Sequence, residues 1–297
     1  MNTLVNHFLL NRANYYLKLL DTILAHMHIL KFSFSLPRSE FYPMEPYKSG
    51  RGIVSFLSIS RFGHLDSNER FSQGEARYRE GAELDVVAIT KLFEHLDVDF
   101  IPKSNLEKEG IVNELDTLRE KIAKRDHFYR FLMVIISSHG DGTSIEASDG
   151  QYLDIKSEII SKFHNYVFPA MRGMPKFFLI NACRGSVSNH YVPRTDFKTV
   201  RSTPAVTTTK ESSTGDVFIL WSTTDQTSSI RFPDKGSPML QTFSSIVTSM
   251  ADDKTLESTE FSLLVKRLQL EMKAKFRLQI EFQDMLGRPF YLPLKGT

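Results

Sequence analysis

Short apolar runs alternate along this chain with stretches of helical spacing. Residues 53–60, 98–101, 131–137, 176–182 and 217–222 are rich in Ile, Leu, Val and Phe. Apolar runs of this length, without alternation, read as strands buried on both faces. Between them, apolar residues fall three and four apart. Leu84, Val87, Ala88, Leu92 and Phe93 predict a helix over 82–96, and Ile111, Leu115, Leu118 and Ile122 predict a second. Ser104 and Glu107 ahead of it have capping-box spacing. Further helices are predicted over 155–166, 239–250 and 259–276, and strands over 278–285 and 290–294. Residues 61–80 are charged and irregular and read as a loop. Strands alternating with helices predict an α/β fold, a mainly parallel sheet with helices on both faces and right-handed crossovers.

Two segments break this rhythm. Within residues 1–38, Ala13, Tyr16, Leu17, Leu20, Ile23, Leu24 and Met27 have helical spacing, and Pro37, Pro43 and Pro46 end the pattern. Arg12, Lys18 and Asp21 interrupt the apolar residues, so the segment does not read as a secretory leader. Residues 186–214 contain twelve Ser or Thr, with Pro193 and Pro204, and keep no apolar period. They read as a flexible linker.

Composition narrows the function. With 297 residues, 41% of them hydrophobic, the chain can bury a large core. Its net charge of +2 comes without a basic stripe interleaved with aromatics, so no nucleic-acid surface is expected. A single cysteine excludes a disulfide framework and a Cys-rich zinc site, and it fits a reducing, cytoplasmic compartment. The nine histidines show no metal-ligand spacing, so no metal or cofactor is expected. No apolar run approaches the ~18 residues of a membrane span.

The lone cysteine ends an apolar run, in Asn181-Ala182-Cys183-Arg184-Gly185. A second run ends in Ser138-His139-Gly140-Asp141-Gly142. Open α/β sheets place their chemistry at the carboxyl ends of strands. A thiol attacks as its thiolate, and a neighbouring imidazole then protonates the leaving amine. Cys183 and His139 are therefore the candidate nucleophile and general acid/base. The pentapeptide matches four of the five positions of Q-A-C-[RQG]-G with a histidine upstream, the local signature of caspases. Over residues 40–297 the chain resembles that family of cysteine proteases, which cut after aspartate.

The resemblance implies a six-stranded sheet built from a large-subunit region (39–185), the linker (186–214) and a small-subunit region (215–297), after a short extension (1–38). It implies an oxyanion hole from the N–H groups of Gly140 and Cys183. Arg79, Asn181 and Arg231 would bind the substrate aspartate, with Ser229 and Ile230 beside them in the groove. Two features depart from the family: Asn181 replaces a glutamine, and Ser228 and Ile230 replace aromatic residues. The resemblance further implies protein substrates and a role in programmed cell death. It implies a homodimer, or a heterodimer with another caspase, through the strand over 278–285. It calls for no cofactor, nucleic acid or membrane. Asp196 is the one aspartate in the linker and the expected processing site. The alternative is a weakly active or non-catalytic homologue that binds and regulates another caspase.

Overall fold

The computed structural model describes residues 51–63, 77–124, 129–185 and 215–296. The chain runs β1 (Gly52–Ser58), β2 (Arg61–Phe62), β3 (Arg77–Tyr78), α1 (Ala82–Glu94), β4 (Val98–Ser104), α2 (Lys108–Ala123) and β5 (Leu132–Ser137). It continues through β6 (Ser144–Glu146), β7 (Tyr152–Asp154), β8 (Lys176–Asn181), β9 (Val217–Trp221), α3 (Pro238–Asp252), α4 (Phe261–Phe276) and β10 (Glu281–Met285). Six strands form one sheet in the order β10-β9-β8-β5-β1-β4. All neighbours are parallel except β10, which runs antiparallel to β9.

The uninterrupted apolar runs are explained by two cores. Successive strand residues point to opposite faces. Val54, Phe56, Met133, Ile135, Phe177, Leu179, Phe218 and Leu220 pack on one face with α1, α3 and α4. Ile53, Leu57, Leu132, Val134, Ile136, Phe178, Ile180 and Ile219 pack on the other, with α2 and residues 155–171. Phe177 anchors the first core, its ring 4.6 Å from those of both Phe261 and Phe290. A buried phenylalanine of this kind is worth about 3–5 kcal/mol against alanine.

Several local expectations are corrected. Residues 290–294 form no strand; their ladder pairing is limited to the isolated Leu96–Leu294 bridge among the described residues. Pro289 and Pro293 lack the N–H that a ladder needs, and Phe290 and Leu292 are buried in the core instead. Of the helix expected over 155–166, only residues 155–163 are helical, and they are not α-helical. A π-helical turn (Ile155–Ile159) passes into a 3-10 turn (Ile160–Phe163). This changed winding keeps the adjacent Ile159 and Ile160 both buried. Ser104 closes β4, and α2 begins after Glu107 with no side-chain cap, so there is no capping box. The presumed loop over 61–80 contains the β2–β3 ribbon, and a β6–β7 hairpin follows Gly140.

Candidate active site

The carboxyl ends of β5 and β8 lie side by side, with Ser137 opposite Asn181. The Ser138 N–H extends the pairing to the Asn181 carbonyl, at 3.2 Å. The next residues are His139-Gly140 on one strand and Ala182-Cys183 on the other. A Cβ on Gly140 would fall 2.6 Å from the Cys183 carbonyl oxygen and 3.1 Å from the Ala182 Cβ. Only glycine permits this approach. The His139 carbonyl accepts the Glu146 N–H at 3.0 Å, and its ring lies 4.7 Å from that of Phe62. Among the described residues, the N–H groups of Gly140 and Cys183 donate to no main-chain carbonyl.

A loop between β9 and α3 covers this edge. It carries Ser228, Ser229, Ile230 and Arg231. Ser229 N–H donates to Cys183 Sγ at 3.3 Å, and the thiol lies 3.8 Å from the Ser229 carbonyl oxygen. Ile230 packs against the first core. The Arg231 Nε donates to the Glu80 carbonyl at 2.9 Å. The loop fits here because Gly81 sits at φ 80, where a Cβ would meet the Phe232 carbonyl oxygen at 2.5 Å.

Arg79, from the other side, is only 5% exposed. Its Nη1 donates to the Ile59 carbonyl at 2.7 Å, and Nη1 and Nη2 each lie 3.4 Å from Ser137 Oγ. Its Nε has no hydrogen-bond partner among the described residues. Burial, and then the like charge of Arg231, pull the Arg79 pKa down to about 9, against Asp85 and the Cys183 sulfur, which raise it. Burial likewise lowers that of Arg231, again opposed by Asp85 and Cys183. Arg79, Arg231 and Cys183 thus share one electrostatic field.

Beneath them runs a buried polar chain. Asn181 Nδ2 donates to Ser137 Oγ at 3.0 Å and to Ser237 Oγ at 2.8 Å. The Ser237 N–H and Oγ both donate to the Asp85 carboxylate, as does Gln241 Nε2 at 2.9 Å. Burial nonetheless raises the Asp85 pKa. Sequence reading gave no role to Asp85, Ser137, Ser237 or Gln241. Asp85 did leave a signal, because a carboxylate interrupts the inward face of α1 between Ala82 and Ile89.

The structure therefore brings His139, Gly140, Asn181, Cys183, Ser229, Ile230, Arg79 and Arg231 to one edge of the sheet. Asp196 lies outside the described residues. Among the described residues no His/Cys/Asp/Glu group could hold a metal ion, and no helix is long and apolar enough to cross a membrane.

Comparison with known proteins agrees with this geometry. The family model of the caspase domain matches residues 67–291. Human caspase-14 is 25% identical over 220 residues, covering 72% of this chain and 88% of that protein. Caspase-1-A of Xenopus laevis is 31% identical over 214 residues, covering 67% of this chain and 51% of that protein. Caspase A of Caenorhabditis elegans is 29% identical over 212 residues, covering 66% and 36%. With a parallel sheet that ends in His-Gly and Cys-Arg-Gly beside the buried Arg79 and the half-buried Arg231, and a family model that spans most of its length, the chain belongs to the caspase family, whose kind is the cysteine peptidase.

Proposed function

We propose that this protein is an endopeptidase that cuts proteins after aspartate. Cys183 attacks the scissile carbonyl, and His139 protonates the leaving amine and then activates water. The N–H groups of Gly140 and Cys183 receive the developing oxyanion. The observation that carries this reading is the pair Arg79 and Arg231. Both are lowered in pKa by burial, and among the described residues neither is ion-paired with a carboxylate. Enclosing two guanidiniums costs free energy that a ligand carboxylate would offset. Asn181 braces the pocket floor between Ser137 and Ser237.

A reactive aspartyl peptide probe is expected to label Cys183 in the purified protein. Aspartyl peptides are expected to be cleaved, and Cys183→Ser or His139→Ala to abolish the cleavage. Equal hydrolysis of peptides with lysine or alanine before the cut would overturn the pocket assignment. Retained cleavage in Cys183→Ser would overturn the nucleophile.

The same reading makes the chain a cytoplasmic precursor that matures by cutting after Asp196 in proteolytic signalling such as programmed cell death. Asp216 is not a competing site. Its N–H donates to the Met285 carbonyl, and its carbonyl accepts the Lys176 N–H. The fragments remain associated because β8 and β9 pair within one sheet. The second edge of β10 is the surface proposed for pairing with another copy or another caspase. A second reading is a non-catalytic homologue that acts through this edge. It is favoured by Asn181, whose donor group faces two serines of the protein. A protein that binds a caspase but leaves the probe unreacted would decide for it.

A further inference from the structure

Among the described residues, the hydrogen bonds at the Cys183 thiol both run to Ser229, whose N–H is the closer, at 3.3 Å against 3.8 Å for its carbonyl. Ser229 stands two residues before the pocket arginine, Arg231. Its loop is fastened to the nucleophile at further points. Arg184 N–H donates to the Thr227 carbonyl at 2.9 Å. Ser222 Oγ lies 3.4 Å from the Ala182 carbonyl oxygen and shares a hydroxyl–hydroxyl hydrogen bond of 3.0 Å with Ser229 Oγ. The Arg184 side chain lies over Trp221, 4.5 Å from its ring centre, and pairs with Glu281 on β10 at 2.8 Å. The Ser229 N–H is therefore held where it is.

A donor aimed at sulfur favours the charged acceptor over the neutral one. The same residue serves the neutral thiol, which can donate to its carbonyl, but that contact is longer. We infer that the main-chain N–H of Ser229 is the hydrogen-bond donor that meets the Cys183 sulfur when it becomes a thiolate, so that the loop presenting the pocket arginine also arms the nucleophile. The inference rests on Cys183 as nucleophile, but its test needs no peptidase activity.

Cys183 is the one cysteine in the chain, so iodoacetamide uptake read by mass spectrometry reports on it alone. Ser229→Ala removes Oγ and keeps the N–H; Ser229→Pro removes both. For each full-length protein, the alkylation rate at neutral pH is divided by its own rate in alkaline solution, which cancels changes in access. The ratio is expected to stay at the wild-type value in Ser229→Ala and to fall about tenfold in Ser229→Pro, the scale of one charge-assisted hydrogen bond. An unchanged ratio in a Ser229→Pro protein that still melts cooperatively overturns the inference. Wild type supplies a second measurement that needs no proline. The Ser229 amide resonance, in serine-labelled protein, is expected to move as the thiol ionises and to stay still in Cys183→Ser. A Ser229 resonance that does not follow the thiol also overturns it. Failure of aspartyl-peptide cleavage with both results intact would instead count against the proposed protease activity.

Discussion

Two cationic side chains are buried at opposite ends of this sheet, and the fold treats them differently. Lys176 opens β8 and is fully buried. Its Nζ donates to Asn165 Oδ1 at 2.9 Å, the Met171 carbonyl at 3.1 Å and the Met174 carbonyl at 2.7 Å. Those are all the donors an ammonium has. Asn165 passes the contact on to Asp216, 3.2 Å away, so a carboxylate stands behind the cluster. Arg79, at the carboxyl end, has one short bond to the Ile59 carbonyl, long ones to Ser137, an Nε without a partner among the described residues and a second cation nearby. Both charges are penalised by burial. One is closed by the protein's own acceptors and belongs to the fold. The other is left short of acceptors, which is how a site for an anion looks before the anion arrives.

The comparison breaks most visibly at Arg79. Arg79→Gln is expected to cost about 2–5 kcal/mol of transition-state binding, roughly 30-fold to several thousand-fold in kcat/KM on aspartyl peptides. The melting temperature of the unliganded protein is expected not to fall, since a buried charge beside a like charge is removed. Steady-state kinetics and a thermal melt check this together. A large drop in melting temperature with activity preserved would place Arg79 in the same class as Lys176.

Lys176→Met is expected to behave in reverse. It removes three hydrogen bonds donated by the buried ammonium, although the Met171 carbonyl keeps the Met174 N–H, and costs about 2–3 kcal/mol of stability. Cys183 alkylation and probe labelling are expected to be unchanged in the folded protein. The pH dependence has a definite sign. Burial lowers the Lys176 pKa from 10.5 to about 8, against the pull of Asp216. As the pH rises through about 8, the unfolded chain therefore binds more protons than the folded one, and stability rises with pH. Well below that pH the full cost of burying the charge remains. Arg79, with a pKa of about 9, adds to the slope increasingly above about pH 8. Denaturant melts between about pH 7 and 8 therefore report mainly on Lys176, and their upward slope is expected to flatten in Lys176→Met.

The contrast also separates what could be read from sequence. The central strands β1, β5, β8 and β9 were legible because burial on both faces leaves long apolar runs, whereas the short β2–β3 and β6–β7 pairs were not. His139 and Cys183 were legible because each ends such a run and is followed by glycine. Arg79 and Arg231 were reached only through the family resemblance, since an arginine in a charged stretch looks like any surface arginine. The Asp85–Ser237 and Lys176–Asn165 contacts were not legible. Each joins polar residues far apart in the chain or across an irregular turn, and no local period records such a pairing. The strand expected over 290–294 failed for the same reason in reverse. Its apolar pattern is satisfied by core packing, and Phe290 meets Phe177 without any ladder. The position of Asn181 was legible, but the direction of its amide was not, because that depends on the two serine hydroxyls beside it.

The smallest expected effect concerns that amide. Asn181 extends from the end of β8 to Ser137 on one side and Ser237 on the other. A glutamine carries its amide one methylene farther, and it cannot keep both serine contacts from the same Cα. Asn181→Gln is therefore expected to release one serine, at a stability cost of about 1 kcal/mol, the worth of one buried hydrogen bond. Its freed donor would then reach toward a carboxylate held by Arg79 and Arg231. KM for aspartyl peptides is expected to fall about two- to fivefold, with little change in kcat, since the added contact forms equally with bound substrate and transition state. Peptide kinetics beside a denaturant melt separate the two parts of this prediction. A loss of stability with KM unchanged would make Asn181 a brace of the pocket floor alone. The acid would then be recognised by the two arginines without help from the amide. A fall in KM would show that the pocket has room for the longer side chain, and that the shorter one weakens an otherwise working site.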